Sequence, residues 1–300
     1  MSASLRIELV PAAQWPSLAA FVFERNRADG DVRCLHCNAG VDADAHAEEL
    51  RSLAPEQARW CAARIGDALV GVFGSEFDAA LGRAWLRGPL VAAGHDYAAV
   101  AAALLPALAA QLPPAVVRLD AFVNAGCAEA LDFLRRQGFG EESVHHEFLA
   151  QPPAPADAMP RGVRLAAPDP RWREAIGALH EGEFRAPYVT ADELFEPEVP
   201  GRFTRVALVD EVPSGYVRAH FDAHWQEGYV DFIAVSPAVR GRGVGRALLQ
   251  SALGWSFGER GAGAVALTMR QDRSAAHALY DAVGFRRVRT AVALRRELRR

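Results

Sequence analysis

The segment "AVSPAVRGRGVGRALL", residues 234–249, places three glycines and three arginines between a strand-like run and a helix-like run. The preceding "GYVDFIAV", residues 228–235, is rich in β-branched and aromatic residues, which favour strands. From Val244 onward, apolar residues recur at helical spacing. The glycines therefore lie in a strand-to-helix turn, where backbone N–H groups can approach a ligand closely and the helix dipole favours negative charge. This turn is predicted to bind a phosphate or pyrophosphate.

Several kinds of phosphate-binding site use a glycine-rich turn before a helix. The spacing of their residues distinguishes them. A P-loop is excluded because no Gly-Lys-Ser/Thr follows the glycines. A dinucleotide-binding GxGxxG turn requires a third glycine where Arg246 stands, and it lies early in its domain rather than late. The remaining alternative is a solvated turn that binds nothing.

The residues around the turn resemble the GNAT superfamily of N-acyltransferases. The loop 240–245 matches the R/QxxGxG/A signature of that family, and Val235-Ser236-Pro237 supplies the V-x-P that precedes it. Residues 276–285 read A-x-x-L-Y-x-x-x-G-F, as in the helix that completes the family's acyl-CoA site. The resemblance covers residues 162–300. It implies an acetyl-CoA-dependent N-acetyltransferase that transfers the acetyl group directly to a primary amine of a small molecule or peptide, without a metal.

The resemblance also implies which residues hold the co-substrate. Backbone groups of the strand are expected to hold the acyl carbonyl and the pantetheine, and the turn is expected to hold the pyrophosphate. The implied residues are Ile233, Ala234, Val235, Arg240, Gly241, Arg242, Gly243, Val244, Gly245, Arg246, Arg273 and Tyr280. Arg273 departs from the family, which usually has an asparagine there, and its guanidinium is expected to reach a phosphate of CoA instead.

Acyl transfer from a thioester to an amine needs an acid for the departing thiolate and a base for the amine. The resemblance assigns the acid role to Tyr280, with His277 as the alternative. Asp231 is the first candidate for the base, because it is a carboxylate inside an apolar strand, and Glu227 is the second. His220 and His224, just before the strand, are further candidates near neutral pH. Strict alternation predicts one strand face with Tyr229, Asp231, Ile233 and Val235 and the other with Val230, Phe232 and Ala234.

The chain repeats one series of elements in two halves. A proline-rich linker, residues 151–161, separates them, because proline fits neither a helix interior nor a sheet ladder. Each half contains a helix stopped by a glycine, "LRRQGF" ending at Phe139 and "YDAVGF" ending at Phe285. We predict a mixed α/β fold of the α+β type. It comprises two tandem GNAT domains, residues 1–150 and 162–300, each with a central, mixed, mostly antiparallel sheet flanked by helices.

The first half lacks the features of the acyl-CoA site. An ungapped alignment of its "GPLVAAGHDYAAVAAALL" with the segment around the turn puts Asp96 in place of Arg240 and leaves none of the three glycines. Leu134 stands in place of Tyr280. We therefore predict a degenerate domain with a structural or acceptor-pocket role. This layout is similar in architecture to that of the mycothiol synthases, a group of tandem GNAT enzymes.

Composition limits the partners. The 300 residues carry a formal net charge of −4, which argues against a nucleic-acid partner. No uncharged apolar run is long enough to span a bilayer, so we expect a cytoplasmic monomer or homodimer without a membrane partner. Four cysteines are too few for a disulfide framework. The CxxC at Cys34 and Cys37 lacks the second ligand pair of a zinc site, and two semi-buried structural thiols are the prediction.

The acceptor amine is not identified by any motif. Residues 180–195, "HEGEFRAPYVTADELF", and the domain junction are predicted to wall the acceptor site. The acidic side chains of this segment either attract a cationic amine or form a solvated helix face; they are Glu181, Glu183, Asp192 and Glu193. A second class of function is open at this point, an acyl-CoA-binding sensor or assembly module without turnover. Tyr280 and Asp231 favour the enzyme.

Overall fold

The computed structural model describes residues 4–28, 32–37, 42–153, 158–184, 187, 189–196, 199–223, 225–273 and 276–298. The chain divides into two compact units. The first comprises Met1–His145 and Thr290–Arg300, and the second comprises His146–Arg289. These units differ from the predicted domains mainly at the C-terminus, because Ala291–Glu297 pairs with a strand of the first unit.

The first unit is a mixed sheet with helices on both faces. Its helices are α1 (Ala19–Asn26), α2 (Ala43–Ser52), α3 (Tyr97–Ala109) and α4 (Ala128–Arg136). Its strands are β1 (Leu5–Leu9), β2 (Ala58–Ile65), β3 (Ala68–Asp78), β4 (Arg83–Val91), β5 (Arg118–Asn124) and the first part of β6 (Gly140–Ala150). Strands β1 to β4 pair antiparallel in sequence order, and β5 lies parallel to β4. One buried layer includes Leu104 and Phe133 of α3 and α4, and the other includes Trp15 and Trp60.

The second unit repeats this plan. Its helices are α5 (Arg173–Glu183), α6 (Val244–Gly254) and α7 (His277–Ala282). Its strands are β7 (Val163–Ala166), β8 (Arg202–Val209), β9 (Val212–Asp222), β10 (Glu227–Val235), β11 (Ala264–Arg270) and the first part of β12 (Arg286–Glu297). Strands β7 to β10 pair antiparallel in sequence order, and β11 lies parallel to β10. One core layer lies beside α6 and α7 and includes Leu248 and Phe285, and the other includes Ile176 of α5 and Tyr216.

Equivalent helix ends show the repeat at atomic detail. The Phe139 N–H donates to the Leu134 carbonyl over 3.1 Å, and the Phe285 N–H donates to the Tyr280 carbonyl over 3.0 Å. The glycine before each phenylalanine has a positive φ, as a left-handed helix cap requires. The predicted fold class is confirmed. No helix within the described ranges is long and apolar enough to cross a membrane.

A β-bulge in β10 corrects the predicted strand faces. The register against β9 shifts between Val230 and Phe232, so Asp231 is the extra residue. Val230 packs in the core layer beside α6, whereas Phe232 and Ala234 pack in the layer beside α5. The three were expected on one face. The alternation fails because the bulge inserts one residue and reverses the facing of everything after it.

Candidate active site

The parallel strands β10 and β11 run together at one end only. Among the described residues, their pairing covers three positions, from Glu227 opposite Ala264 to Tyr229 opposite Ala266. Beyond Tyr229, β10 continues to Val235 and pairs on its other side with β9. The edge of β10 that faces β11 therefore offers backbone N–H and C=O groups to a ligand entering between the strands.

The turn after β10 leaves the start of α6 without a side-chain cap. Gly241 and Gly243 both have a φ of +80°, in the left-handed region that favours glycine. Gly243 is the N-cap residue of α6, and no side chain in the described part of the chain caps that helix. The first N–H groups of an α-helix have no partner within the helix and form its positive end. This end of α6 fits an anionic group such as pyrophosphate.

Gly245 allows the turn, β10 and α7 to meet. A Cβ built on Gly245 would lie 3.1 Å from Leu279 Cδ2 and 3.6 Å from Val235 Cγ2. Leu279 directly precedes Tyr280 on α7. The close packing at Gly245 therefore brings the helix that carries Tyr280 beside the end of β10.

Tyr280 is buried among aromatic rings. Its ring centroid lies 5.5 Å from that of Phe148 and 6.0 Å from that of Phe285. Burial raises the pKa of its phenol to about 12, so the hydroxyl is protonated at neutral pH. The hydroxyls of Tyr97 and Tyr216 hydrogen-bond to Pro89 and His180, whereas no residue that the structure describes hydrogen-bonds the Tyr280 hydroxyl. This phenol therefore has a proton to donate and is not held by a purely structural bond.

Asp231 forms an ion pair with His220 of β9. The Nδ1 of His220 donates to both carboxylate oxygens, at 2.9 and 3.0 Å. The Asp231 side chain is 5% exposed and that of His220 is 47% exposed. Burial alone would lower the pKa of His220, but the hydrogen bond and negative charge of Asp231 outweigh it and raise that pKa. The pair thus combines a buried carboxylate with an imidazole that reaches solvent.

Two further polar side chains share the face of this pair. Arg218 of β9 is buried and its Nη1 donates to Thr204 Oγ1 over 2.8 Å. Burial lowers the pKa of Arg218, and the charge of Asp231 opposes that effect. Buried polar side chains are costly unless they are paired. Neither Arg218 nor Thr204 is recognisable from the sequence, because their proximity depends on the register of β8 and β9.

Glu227 lies far from the open part of β10. It is exposed, at the first position of the strand. Six residues separate it from Ile233, which corresponds to about 20 Å along a strand. Asp231 lies two residues from Ile233, or about 7 Å. Geometry thus favours Asp231 over Glu227 for a role at the end of β10. His224 lies outside the described residues.

Glu183, the last residue of α5, binds two of the predicted phosphate-contacting arginines. Its carboxylate pairs with Arg240 Nη2 and lies 2.8 Å from Arg273 Nη1. The hydrogen bond from Arg273, followed by the charge of Arg240, lowers the pKa of this carboxyl against the effect of burial. Arg240 also donates from Nε to the Val235 carbonyl over 3.1 Å. Glu183 therefore competes with any phosphate for both guanidinium groups.

Arg242 and Arg246 are the remaining arginines of the loop. Arg242 Nη2 lies 3.2 Å from Asp210 Oδ2, and Arg246 is half-buried in the first turn of α6. Ile233 and Val235 pack partly against the core layer beside α6, with Ala234 on the opposite face. No group of His, Cys, Asp or Glu in the described ranges is arranged to hold a metal ion.

The acidic segment 180–195 does not present four free carboxylates. Asp192 pairs with Arg173 at 2.5 Å, and Glu193 accepts from the N–H of Thr190. With Glu183 bound to the loop arginines, Glu181 is the exposed acid of the set that pairs with no residue in the described ranges. His180 is fully buried, and its Nε2 donates to the Val189 carbonyl over 2.8 Å. This bond holds the segment against α5.

The N-terminus of α3, the equivalent helix of the first unit, is capped by an aspartate side chain. Asp96 is the N-cap residue of α3 and accepts from the Ala99 N–H over 3.0 Å. Strands β4 and β5 also pair over three positions among the described residues. Leu134, at the position of Tyr280, is fully buried. The first unit thus also has two parallel strands that pair over a short stretch. It has an anionic side chain where the second unit has an uncapped helix end.

Comparisons with known proteins identify relatives in sequence and in fold. The model of the acetyltransferase (GNAT) family matches residues 169–285. A 59-residue stretch is 49% identical to the N-alpha-acetyltransferase RimI of Mycobacterium tuberculosis, and one of the same length is 51% identical to an uncharacterized protein of Mycobacterium leprae. Each stretch is 20% of this chain, and they are 35% and 15% of those relatives. The chain therefore spans only part of either relative.

Two solved structures share the fold over nearly the whole chain. A GCN5-related N-acetyltransferase from Sphaerobacter thermophilus has a TM-score of 0.74 at 19% identity, covering 99% of this chain and 96% of its own. A tandem GNAT protein from the clavulanic acid biosynthesis pathway has a TM-score of 0.66 at 17% identity, covering 98% of each chain. Residues 169–285 thus match the GNAT acetyltransferase family, and the chain shares the fold of a tandem GNAT protein over nearly its whole length.

Proposed function

We propose that the protein is an acetyl-CoA-dependent N-acetyltransferase that modifies a primary amine of a small molecule or peptide in its second unit. The observation that carries this proposal is the uncapped N-terminus of α6 beside the open edge of β10, with the protonated phenol of Tyr280 on the adjoining helix. When bound, acetyl-CoA supplies a thioester carbon for the amine to attack and a thiolate as leaving group.

The residues present fit this co-substrate. The first N–H groups of α6, at Val244, Gly245 and Arg246, would hold the pyrophosphate, and Arg240 and Arg273 lie close enough to one another to share Glu183. The open edge of β10 at Ile233–Val235 would hold the pantetheine and acyl carbonyl through backbone hydrogen bonds. Binding of the phosphates would then replace Glu183 as the partner of the two arginines.

His220 and Asp231 are proposed to supply the base. Asp231 accepts the Nδ1 hydrogen of His220, which leaves Nε2 as the nitrogen that takes a proton from the amine. The buried carboxylate fixes the orientation of the imidazole and stabilises its charged form. The amine itself would approach on the face of β9 and β10 that packs towards α5.

Tyr280 is proposed to supply the acid. Its hydroxyl donates a proton to the sulfur as charge develops there, and burial keeps the phenol protonated until that moment. The aromatic rings of Phe148 and Phe285 fix the phenol in place. His277, which makes an edge contact with His146 at 5.4 Å between ring centroids, is the alternative donor on the same helix.

A binding module without turnover is the second candidate. It would use the same α6 terminus and open strand, so the loop alone does not separate the two functions. The His220–Asp231 pair favours the enzyme, because a sensor has no use for a buried carboxylate that raises the pKa of a half-exposed imidazole.

Release of CoA thiol in the presence of an amine panel tests the proposal. Acetyl-CoA is incubated with the protein and one of several acceptors: amino acids, peptides with free N-termini, polyamines or aminosugars. We expect at least one amine to produce thiol well above the rate without acceptor, together with an acetylated product found by mass spectrometry. Tight binding of acetyl-CoA with no acceptor-dependent release from any of these classes would instead support the binding module.

A further inference from the structure

Cys34 and Cys37 form a close pair in the first unit. They flank a single 3-10 turn, in which the Cys37 N–H donates to the Cys34 carbonyl over 3.1 Å. The Cα atoms that bound such a turn lie within about 7 Å, which overlaps the range that a disulfide spans. The turn therefore places the two cysteines at a separation from which a disulfide can form.

Asn26 holds both cysteines in place. Its Oδ1 accepts from the Cys34 N–H over 2.8 Å, and its Nδ2 donates to the carbonyls of Cys34 and Cys37 over 3.1 and 2.9 Å. Asn26 is itself 2% exposed. Because the backbone is fixed at each end of the turn, little conformational entropy is lost when the sulfurs join.

The two thiols differ in chemical character. The hydrogen bond from Cys37, together with the Gly88 N–H at 3.3 Å from the sulfur, lowers the pKa of Cys34 to about 7 against the effect of burial. Burial raises the pKa of Cys37 well above its ordinary value. Cys34 is thus partly a thiolate at neutral pH, while Cys37 remains a thiol. A nucleophilic thiolate beside a resolving thiol is the arrangement found in redox-active pairs.

Cys34 also lines a cavity. The cavity has a volume of about 10 Å³, about the room of one water molecule, and its walls include Arg33, Gly88, Tyr97 and Cys127. Cys34 thus borders a water-sized space. Cys61 provides a contrast within the same unit, because burial raises its pKa to about 11 and no other cause acts on it.

We propose that Cys34 and Cys37 form a redox-active dithiol site that a small peroxide converts to a disulfide. The Cys34 thiolate attacks one oxygen of hydrogen peroxide, the O–O bond breaks, and Cys34 becomes a sulfenic acid while the other oxygen leaves as water after taking up a proton. Cys37 then attacks the sulfenic sulfur, the S–S bond forms, and a second water leaves with the Cys37 proton. The peroxide is reduced by two electrons and the two thiols are oxidised. This site does not depend on the proposed acetyltransferase activity.

Peptide mapping of the folded chain tests the site. Trypsin releases Cys34–Arg51 with both cysteines, and it releases Cys61 and Cys127 in separate peptides. After hydrogen peroxide and alkylation of the remaining thiols, we expect Cys34–Arg51 to have lost two hydrogens and to carry no alkyl groups. The peptides of Cys61 and Cys127 should stay fully alkylated, and dithiothreitol should restore alkylation of the first peptide.

Serine variants separate the steps. In Cys37→Ser, Cys34 should accumulate as a sulfenic acid that dimedone traps, and in Cys34→Ser the Cys37 thiol should stay reduced. Cys61→Ser is the matched control and should form the disulfide as the parent does. Oxidation of Cys61 as fast as Cys34, or conversion of Cys34 in the parent to a sulfinic acid without a disulfide, overturns the proposal. If a serine variant does not fold, the peptide map of the parent decides alone.

Discussion

Tyr280 is the residue on which the acid step depends. Replacing it with phenylalanine keeps the ring packed against Phe148 and Phe285 and removes only the proton. We expect kcat to fall by a factor on the order of 10² to 10⁴, with little change in KM or in CoA affinity, because the interaction matters only as charge develops on sulfur. Steady-state kinetics with the best acceptor measures this.

Tyr97→Phe is the matched control for that variant. It also removes one buried tyrosine hydroxyl, but from the first unit, where the hydroxyl donates to Pro89. It should leave kcat unchanged. If Tyr280→Phe is folded and has the kcat of the parent, Tyr280 serves only as a packed aromatic side chain of the core.

The pH dependence of turnover tests His220 and Asp231. The pKa of His220 is raised, so its neutral, proton-accepting form is reached only above the ordinary histidine range. We therefore expect kcat/KM to rise with pH through a value above about 6.5. In Asp231→Asn the pKa of His220 should fall, because its stabilising charge is gone. The rising part of the pH profile of kcat/KM should then move to lower pH. The maximal kcat/KM should drop by a factor on the order of 10 to 10³.

Glu227→Gln is the comparison for that experiment. Its carboxylate is exposed and lies at the far end of β10, so kcat/KM should rise at the same pH as in the parent. If Glu227→Gln removes this rise of kcat/KM with pH and Asp231→Asn does not, the base is assigned to the wrong carboxylate.

At the scale of the element, the α6 turn needs its glycines for a ligand as well as for its shape. Gly241 has a φ of +80°, and, apart from its neighbours in the chain, no atom of the described residues lies within 4 Å of a Cβ added there. Gly94, in the corresponding turn of the first unit, has a φ of +81° and equally open surroundings. Valine at either position would destabilise the folded protein by a similar backbone strain of about 1–2 kcal/mol.

We expect Gly241→Val alone to weaken CoA binding, by a factor on the order of 10 or more, since only that turn is built for an anion. Gly94→Val should cost similar stability and leave the affinity as it was. Calorimetric titration of both variants measures the difference. Equal affinities in the two variants would remove the α6 turn from the binding site.

The link between α5 and the turn runs through Glu183. Replacing it with glutamine frees Arg240 and Arg273 from a competing charge. We expect CoA affinity to rise by a factor on the order of 3 to 10, as suits partly exposed ion pairs, and the gain to shrink in high salt. Glu181→Gln, an exposed acid on the same helix, should change nothing. A loss of affinity in Glu183→Gln would mean that this carboxylate instead orients the arginines for the phosphate.

Local patterns predicted part of this site, and long-range pairing decided the rest. The turn 240–245 and the capped helix at Tyr280 were recognisable, because each is one continuous segment whose glycines have a fixed spacing. The bulge at Asp231 was not, because it exists only in the register of β10 against β9. The sequence predicts Glu183 only as part of the acceptor wall, since nothing in its own helix indicates two arginines from distant segments.

At the scale of the whole molecule, the same fold appears twice with opposite charge at one position. The corresponding helix is α3 in the first unit, where Asp96 caps it, and α6 in the second unit, where no described side chain caps it. The repeat of the fold was predictable from the sequence. The transfer of Thr290–Arg300 to the first unit was not, because β12 is a single continuous strand in the sequence and its partner β5 lies more than 150 residues earlier.

The number of acetyl-CoA molecules bound per chain tests the central claim, that one working site lies at the start of α6. Titration calorimetry of the parent should reach one equivalent, and Gly241→Val should bind that equivalent more weakly, by a factor on the order of 10 or more, while Gly94→Val keeps the affinity of the parent. Asp96 should continue to exclude a second molecule from the first unit, because its carboxylate already accepts the Ala99 N–H at the helix end. Two equivalents in the parent, or one equivalent retained at full affinity in Gly241→Val, would contradict the account.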